Sequence, residues 1–382
     1  MMSLRSRLPA FARPVAFALL LSLTLASQQL SAQSSEAPNG VDKPAEEAFQ
    51  NIQVFRDVPQ SELLPIMHFM RSSLGVRCDH CHIAENGMYW KDDKPAKATA
   101  RRMIRMVDDI NKNFGGEPVV TCNTCHRGSL VPIATPGVNQ AAFEDTLRTP
   151  AEPPPALPTA EKIFQNYTTA IGGEQKLSTI RSRLIRQTVS RPRLVDPQQI
   201  PVPIEVYEKA PDKILAITHI GQQTVRGGFD GSSAWIEIAG KSRSMTTPEQ
   251  ARLRSFLSIY PLGQLKDLYS KLKVIGKEET GEKISAWVVE GIAPDNKRHK
   301  LYFDAKTGLL LRRIACTRTR VGDDPEQVDF ADYRDIGGIK IPFRVTTSYL
   351  DNNHFNTVRI TLTVDSNVTV DDAQFVMPAA KQ

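Results

Sequence analysis

Residues 61–82 read SELLPIMHFMRSSLGVRCDHCH and residues 98–126 read ATARRMIRMVDDINKNFGGEPVVTCNTCH, and the two stretches share one plan. In the first, Leu63, Ile66, Met67, Met70 and Leu74 recur at helical spacing and Gly75 supplies a C-terminal stop. In the second, Met103, Met106, Val107 and Ile110 fall on one helical face, and Gly115-Gly116 ends it. Each helix bears Met-x-x-Met and leads through a short loop to Cys-x-x-Cys-His, first Cys78-Asp79-His80-Cys81-His82, then Cys122-Asn123-Thr124-Cys125-His126. Met67 stands 11 residues before Cys78, and Met103 stands 19 before Cys122. The pattern is an internal repeat. It predicts a small α-helical unit over residues 43–133.

The two motifs take four of the five cysteines. Zinc is a poor reading, because 40 residues separate Cys81 from Cys122, beyond a ribbon gap, and zinc leaves the histidine after each pair unexplained. A thioredoxin-like motif needs a preceding strand and does not come in tandem. A disulfide closing a two-residue loop is strained. Cys-x-x-Cys-His is instead the attachment signature of a c-type haem. Two thiols spaced by two residues add to the two vinyl groups on one porphyrin edge, and the next residue, histidine, ligates the iron. The sequence therefore predicts two covalently attached haems, held by Cys78 and Cys81 with His82, and by Cys122 and Cys125 with His126. The sixth ligand of each iron is expected from one methionine of each Met-x-x-Met pair, against the plainer reading of a methionine stripe filling core. His68 and His80 are the other candidates. His80 lies between its own thioether cysteines, His68 lies off the Met67 face, and both are expected at the surface.

The rest of the chain sets the context. Residues 1–32 carry Arg5, Arg7 and Arg13 before an apolar run, Val15–Leu25, too short to span a bilayer, and Ala32 suits signal-peptidase cleavage. An exported, periplasmic protein is expected. No cysteine precedes Cys78 to carry a lipid. The formal charge of +6 divides into +2 for residues 1–40, −1 for 41–150 and +5 for 151–382. No basic stripe with interleaved aromatics is present, which excludes nucleic acid as a partner. Residues 134–158 form a Pro-rich linker, with Pro153-Pro154-Pro155 favouring an extended spacer. From Thr159 the period changes to two-residue alternation. Pro203–Glu208, Ile214–Ile220, Ala234–Ile238, Ala286–Glu290, Lys300–Phe303 and Val358–Val364 read as strands, and a helical stretch around Thr247–Leu272 interrupts them. Residues 159–382 are thus expected to form an antiparallel α+β domain, a curved sheet with short helices, and the whole chain to be multidomain. Cys316 reads as a packed strand residue.

Segment 43–135 resembles the haem-binding part of the cytochrome c subunit of bacterial photosynthetic reaction centres. The carrying stretches are Met67 through Ser73-Leu74-Gly75-Val76-Arg77-Cys78, then Ala100-Arg101-Arg102-Met103-Ile104-Arg105-Met106, then Val120-Thr121-Cys122-Asn123-Thr124-Cys125-His126-Arg127-Gly128. The resemblance implies that Met67 and Met103, rather than Met70 and Met106, ligate iron. The family's reaction-centre members hold four haems in tandem pairs, whereas this chain has motifs for two. One of their haems takes a histidine from the loop before a Thr-Cys motif, and loop Asn111–Thr121 here has none. The C-terminal region resembles periplasmic lipoprotein-carrier and sorting domains, in Leu301-Tyr302-Phe303-Asp304-Ala305-Lys306-Thr307-Gly308-Leu309-Leu310 and in Asp332-Tyr333-Arg334-Asp335 to Ile339-Lys340-Ile341-Pro342-Phe343.

These readings predict an electron-transfer protein and not an enzyme, since a six-coordinate iron has no open position. Its expected partners are redox proteins in the periplasm or at the membrane, including a reaction-centre-like complex with which it associates peripherally. The alternatives are a lipid- or acyl-binding carrier or docking protein with haem as sensor, and a dihaem peroxidase.

Overall fold

The computed structural model describes residues 42–83, 87–132, 156–190, 201–245, 250, 253, 265–266, 268–281, 283–293, 296–350 and 356–379. The leader at 1–32, most of the Pro-rich linker and most of the stretch Thr247–Leu272 lie outside them.

The helical region opens with one turn, Ala45–Ala48, and continues with α1 (Gln60–Leu74), α2 (Pro95–Lys112) and the short α3 (Cys122–His126). Helix α1 stops where the glycine signal places it, at Gly75 with φ +65°. Helix α2 begins three residues earlier than the apolar period suggests, because Pro95 at its first turn needs no hydrogen-bond acceptor. Ala45, Phe55, Val58, Ile66, Phe69 and Ile104 form the core of this region.

A helix follows that the two-residue period conceals. Thr159 caps α4 (Ala160–Ala170), accepting the Lys162 amide on its hydroxyl. Ile163, Phe164 and Tyr167, three and four residues apart, are buried on its inner face. Alternation therefore starts at Ser182 and not at Thr159.

Among the described residues thirteen strands make one antiparallel sheet. They are β1 (Ser182–Ser190), β2 (Val202–Lys209), β3 (Lys213–Ile220), β4 (Gln223–Phe229), β5 (Ala234–Ile238), β6 (Lys241–Ser244) and β7 (Ser270–Glu279). The remainder are β8 (Ser285–Ile292), β9 (Arg298–Asp304), β10 (Leu310–Thr319), β11 (Gly322–Ile336), β12 (Ile339–Tyr349) and β13 (Thr357–Ser366). The order β6-β5-β4-β3-β2-β1-β13-β12-β11-β10-β9-β8-β7 is two meanders joined where the last strand returns beside the first. Each wing buries its own apolar cluster. Ile185, Val206, Ile214 and Phe229 fill one. The other sets Ile163, Phe164 and Tyr167 of α4 against Val289, Leu301 and Phe303, with edge-on aromatic pairs at Phe303.

The two regions touch. The turn between β10 and β11, Thr319-Arg320-Val321-Gly322, reaches the helical region, and Val321 belongs to that region's core at 4% exposure.

Candidate functional site

Both Cys-x-x-Cys-His motifs sit on single helical turns. Cys78–His80 is a 3-10 turn in which Cys78 O accepts the His82 amide at 3.0 Å. Around Cys122–His126, Thr121 and Thr124 form a reciprocal cap, each hydroxyl accepting the other's amide. None of the five cysteines is in a disulfide. Cys78 and Cys125 are exposed, Cys81 and Cys122 half-buried, and burial raises the thiol pKa of both half-buried ones. Among the described residues no three His, Cys, Asp or Glu side chains converge on a common metal position.

The histidines have matching environments. His82 Nδ1 lies 3.0 Å from the Tyr89 carbonyl oxygen, and His126 Nδ1 lies 3.0 Å from that of Ser129. A carbonyl only accepts, so each Nδ1 carries the proton. The neutral imidazole then presents its lone pair at Nε2. Burial lowers the His82 pKa, and the Lys97, Arg101 and Lys94 cations add to it; the bond to Tyr89 opposes them without reversing the shift, so the balance favours the neutral ring that binds metals. Tyr89 also meets the His82 ring edge-on, at 5.7 Å between centroids.

Two glycines bring the motif segments together. Gly128 N donates to Ser73 O at 2.8 Å, and a Cβ on Gly75 would lie 2.1 Å from Gly128 O. Only glycine at 75 allows that approach. Asn111, buried near the end of α2, grips Val120 with both amide atoms, at 2.8 and 2.9 Å, and so fixes the loop leading into Thr121 and Cys122. Lys97 and Arg101, also buried, hold Asp92, at 3.2 and 2.9 Å, and Arg101 donates to Asn51 O. The sequence reading assigned no role to Asn111, Lys97 or Arg101. The available signal was polar residues at positions 97, 101 and 111 sharing the face of Ile104.

The methionines differ between the units. Met67 and Met70 are half-buried against the helical core, whereas Met103 and Met106 are 39% and 45% exposed on an apolar face with Val107 and Ile110. Beside that face Arg102, Arg105, Met106, Asp109, Ile110 and Asn113 line a shallow, open stretch of the surface of α2. Met106, not Met103, lines it. His68 and His80 are half-buried rather than at the surface. Cys316 is half-buried within β10.

Residues 20–149 match the family model described as photosynthetic reaction centre cytochrome C subunit. That range contains both motifs, and the N-terminal segment is similar to this family. The photosynthetic reaction center cytochrome c subunit of Roseobacter denitrificans is 34% identical over 105 residues, 25% of this chain and 28% of the relative. That of Thermochromatium tepidum is 32% identical over 105 residues, 26% of each chain. Cytochrome c-554 of Chloroflexus aurantiacus is 28% identical over 143 residues, 35% of this chain and 32% of the relative. The chain spans about a quarter of the length of the reaction centre relatives it matches. Among solved structures, a putative outer membrane lipoprotein-sorting protein domain from Vibrio parahaemolyticus is 11% identical with a TM-score of 0.42, covering 57% of this chain and 97% of that one. A LolA superfamily protein from Nitrosomonas europaea is 12% identical with a TM-score of 0.41, covering 58% and 98%.

Proposed function

We propose that this protein is an exported dihaem c-type cytochrome that transfers electrons. The observation that carries the reading is the matched pair His82–Tyr89 and His126–Ser129. Two separate motifs each present an imidazole whose Nδ1 proton is held by a backbone carbonyl, the outer-shell arrangement that orients a metal-binding histidine. The donor set fits the group. Four cysteines outside any disulfide stand in two pairs, each followed by such a histidine, and the apolar Met103 face suits a large apolar ring.

A bound c-type haem supplies an iron that cycles between ferric and ferrous states. This chain's residues do the rest. Cys78, Cys81, Cys122 and Cys125 anchor covalently, and His82 and His126 ligate. Met67 and Met103 complete the coordination, which closes the iron to substrates and sets the protein apart from an enzyme. Residues 1–32 act as a cleaved leader, 43–133 as the haem domain, 134–158 as a linker and 159–382 as the sheet domain. The working site is the periplasm, and the partners are redox proteins there or at the membrane, among them a reaction-centre-like complex.

The test is site-by-site loading in a host with haem-maturation machinery. Cys78→Ala and Cys122→Ala should each lose haem at one site and keep it at the other, read by absorbance of the denatured protein. A wild-type protein that stays colourless after such expression defeats the proposal.

A further inference from the structure

The sheet region does more than follow the helical region in sequence: its β10–β11 turn enters the structure that presents the cysteine motifs. Thr319 Oγ1 donates to Gly322 O at 2.6 Å and closes the turn, which aims Val321 into the core formed by Ala45, Phe55, Ile66, Phe69 and Ile104. Gly322 has φ +138°, and a Cβ there would lie 2.7 Å from Phe69 Cζ and 3.3 Å from Thr121 Cγ2. Phe69 lies between Met67 and Met70 on α1, and Thr121 caps the helix that begins at Cys122. The backbone at Gly322 therefore rests on both motif-bearing segments at once.

Charged groups extend the contact to the remaining segments. The Arg320 amide donates to Glu62 on α1 at 2.5 Å, and its guanidinium lies 2.9 Å from Asp57 and 3.9 Å from Asp108 on α2. Arg318 pairs with Glu117, in the loop before the second motif, at 2.6 Å. A passive contact would touch one element through flexible side chains. With Arg318 just before it, this turn touches α1, α2, the pre-motif loop and the segment before α1, and at Gly322 it does so with backbone whose φ of +138° disfavours any side chain.

We propose that the Arg320-Val321-Gly322 turn is the positioning element for both haem-bearing segments, so that the sheet region sets the geometry, and through it the redox potentials, of the haem pair. The inference rests on the dihaem reading above. Metal potentials follow the orientation of their ligands and the dielectric of the shell around them, and this turn packs directly behind the elements that carry both.

The experiment uses the full chain loaded with haem, as wild type, Gly322→Val, Arg320→Ala and Arg320→Lys. Each is read by potentiometric titration and by circular dichroism in the haem absorption band. Gly322→Val should shift at least one midpoint potential and change the dichroism. Arg320→Ala should shift it in the same direction by less, and Arg320→Lys, which keeps the charge, should stay nearer wild type. Variants that load two haems with wild-type potentials and dichroism overturn the proposal. If Gly322→Val fails to fold, amide exchange in the wild-type protein decides: residues 318–323 should be protected to the same level as residues 62–74. Exchange at 318–323 tenfold or more faster than in α1 overturns the proposal equally. A protein without haem is recognised by its absorbance and counts against the dihaem reading, while the exchange comparison still judges the turn.

Discussion

Lys97 and His82 share one acceptor: the Lys97 ammonium donates to the Tyr89 carbonyl oxygen at 2.8 Å, and His82 Nδ1 donates to the same oxygen at 3.0 Å. A buried cation thus sits one atom away from the group that orients the first motif's histidine. Lys97→Met keeps the length of the side chain and removes the charge. The potential of the first-motif haem should fall by roughly 40 mV, about 1 kcal/mol for one electron, since a nearby positive charge disfavours the ferric state. The second-motif potential should not move. A redox titration resolving the two steps checks both halves.

Distal ligation separates the methionines. Met67→Ala and Met103→Ala should each admit carbon monoxide to one ferrous iron and lower its potential, because thioether ligation raises it. Met70→Ala should cost about 1–2 kcal/mol of stability, being half-buried, and Met106→Ala less than about 1 kcal/mol, with no gain in carbon monoxide binding. The exposure of both Met103 and Met106 makes the second pair the more demanding test. If Met106→Ala opens the iron and Met103→Ala does not, the ligand is Met106. Carbon monoxide bound readily by the ferrous wild type would instead favour an enzyme.

The repeat units were legible because their chemistry is written locally. Gly75 stops α1 where the glycine signal places it. The strand expected at Pro203–Glu208 was legible for the same reason, since within Val202–Lys209 buried and more exposed positions alternate and report one buried face. Helix α4 was missed because it borders strands and its period was read as theirs. The polar residues that build the site were missed for a different reason. Lys97, Arg101 and Asn111 share the buried face of Ile104, and only the fold supplies the carbonyls of Tyr89, Asn51 and Val120 that satisfy them. The turn at Val321 was invisible because its partners lie more than 200 residues earlier in the chain.

Inside the sheet, Arg183 on β1 and Glu208 on β2 form an ion pair at 2.7 Å, at 4% and 1% exposure. Removing one partner leaves a buried charge. Glu208→Ala should destabilise the protein by about 3–5 kcal/mol in denaturant unfolding. Arg186→Ala, which breaks surface pairs with Glu205 and Asp365, should cost less than about 1 kcal/mol.

Asp324 on β11 gives stability a pH dependence. Burial pushes its carboxyl up from 3.8 to about 6, with Lys297 opposing and Glu326 adding. Between about pH 4 and pH 6 the folded chain holds a proton that the unfolded chain has released, so this group's contribution is present in acid and is lost as the pH rises through 6. Asp324→Asn should therefore be more stable than wild type above pH 6 and indistinguishable from it below about pH 4. Thermal melts across that range measure the difference.

Covalent haem at both motifs is the claim on which the account stands, and the mass of the intact, denatured, alkylated protein tests it most directly. The chain purified after export with haem-maturation machinery should carry the added mass of two haems, and alkylation should label Cys316 alone. A chain with no added haem and alkylated Cys78, Cys81, Cys122 and Cys125 would contradict it.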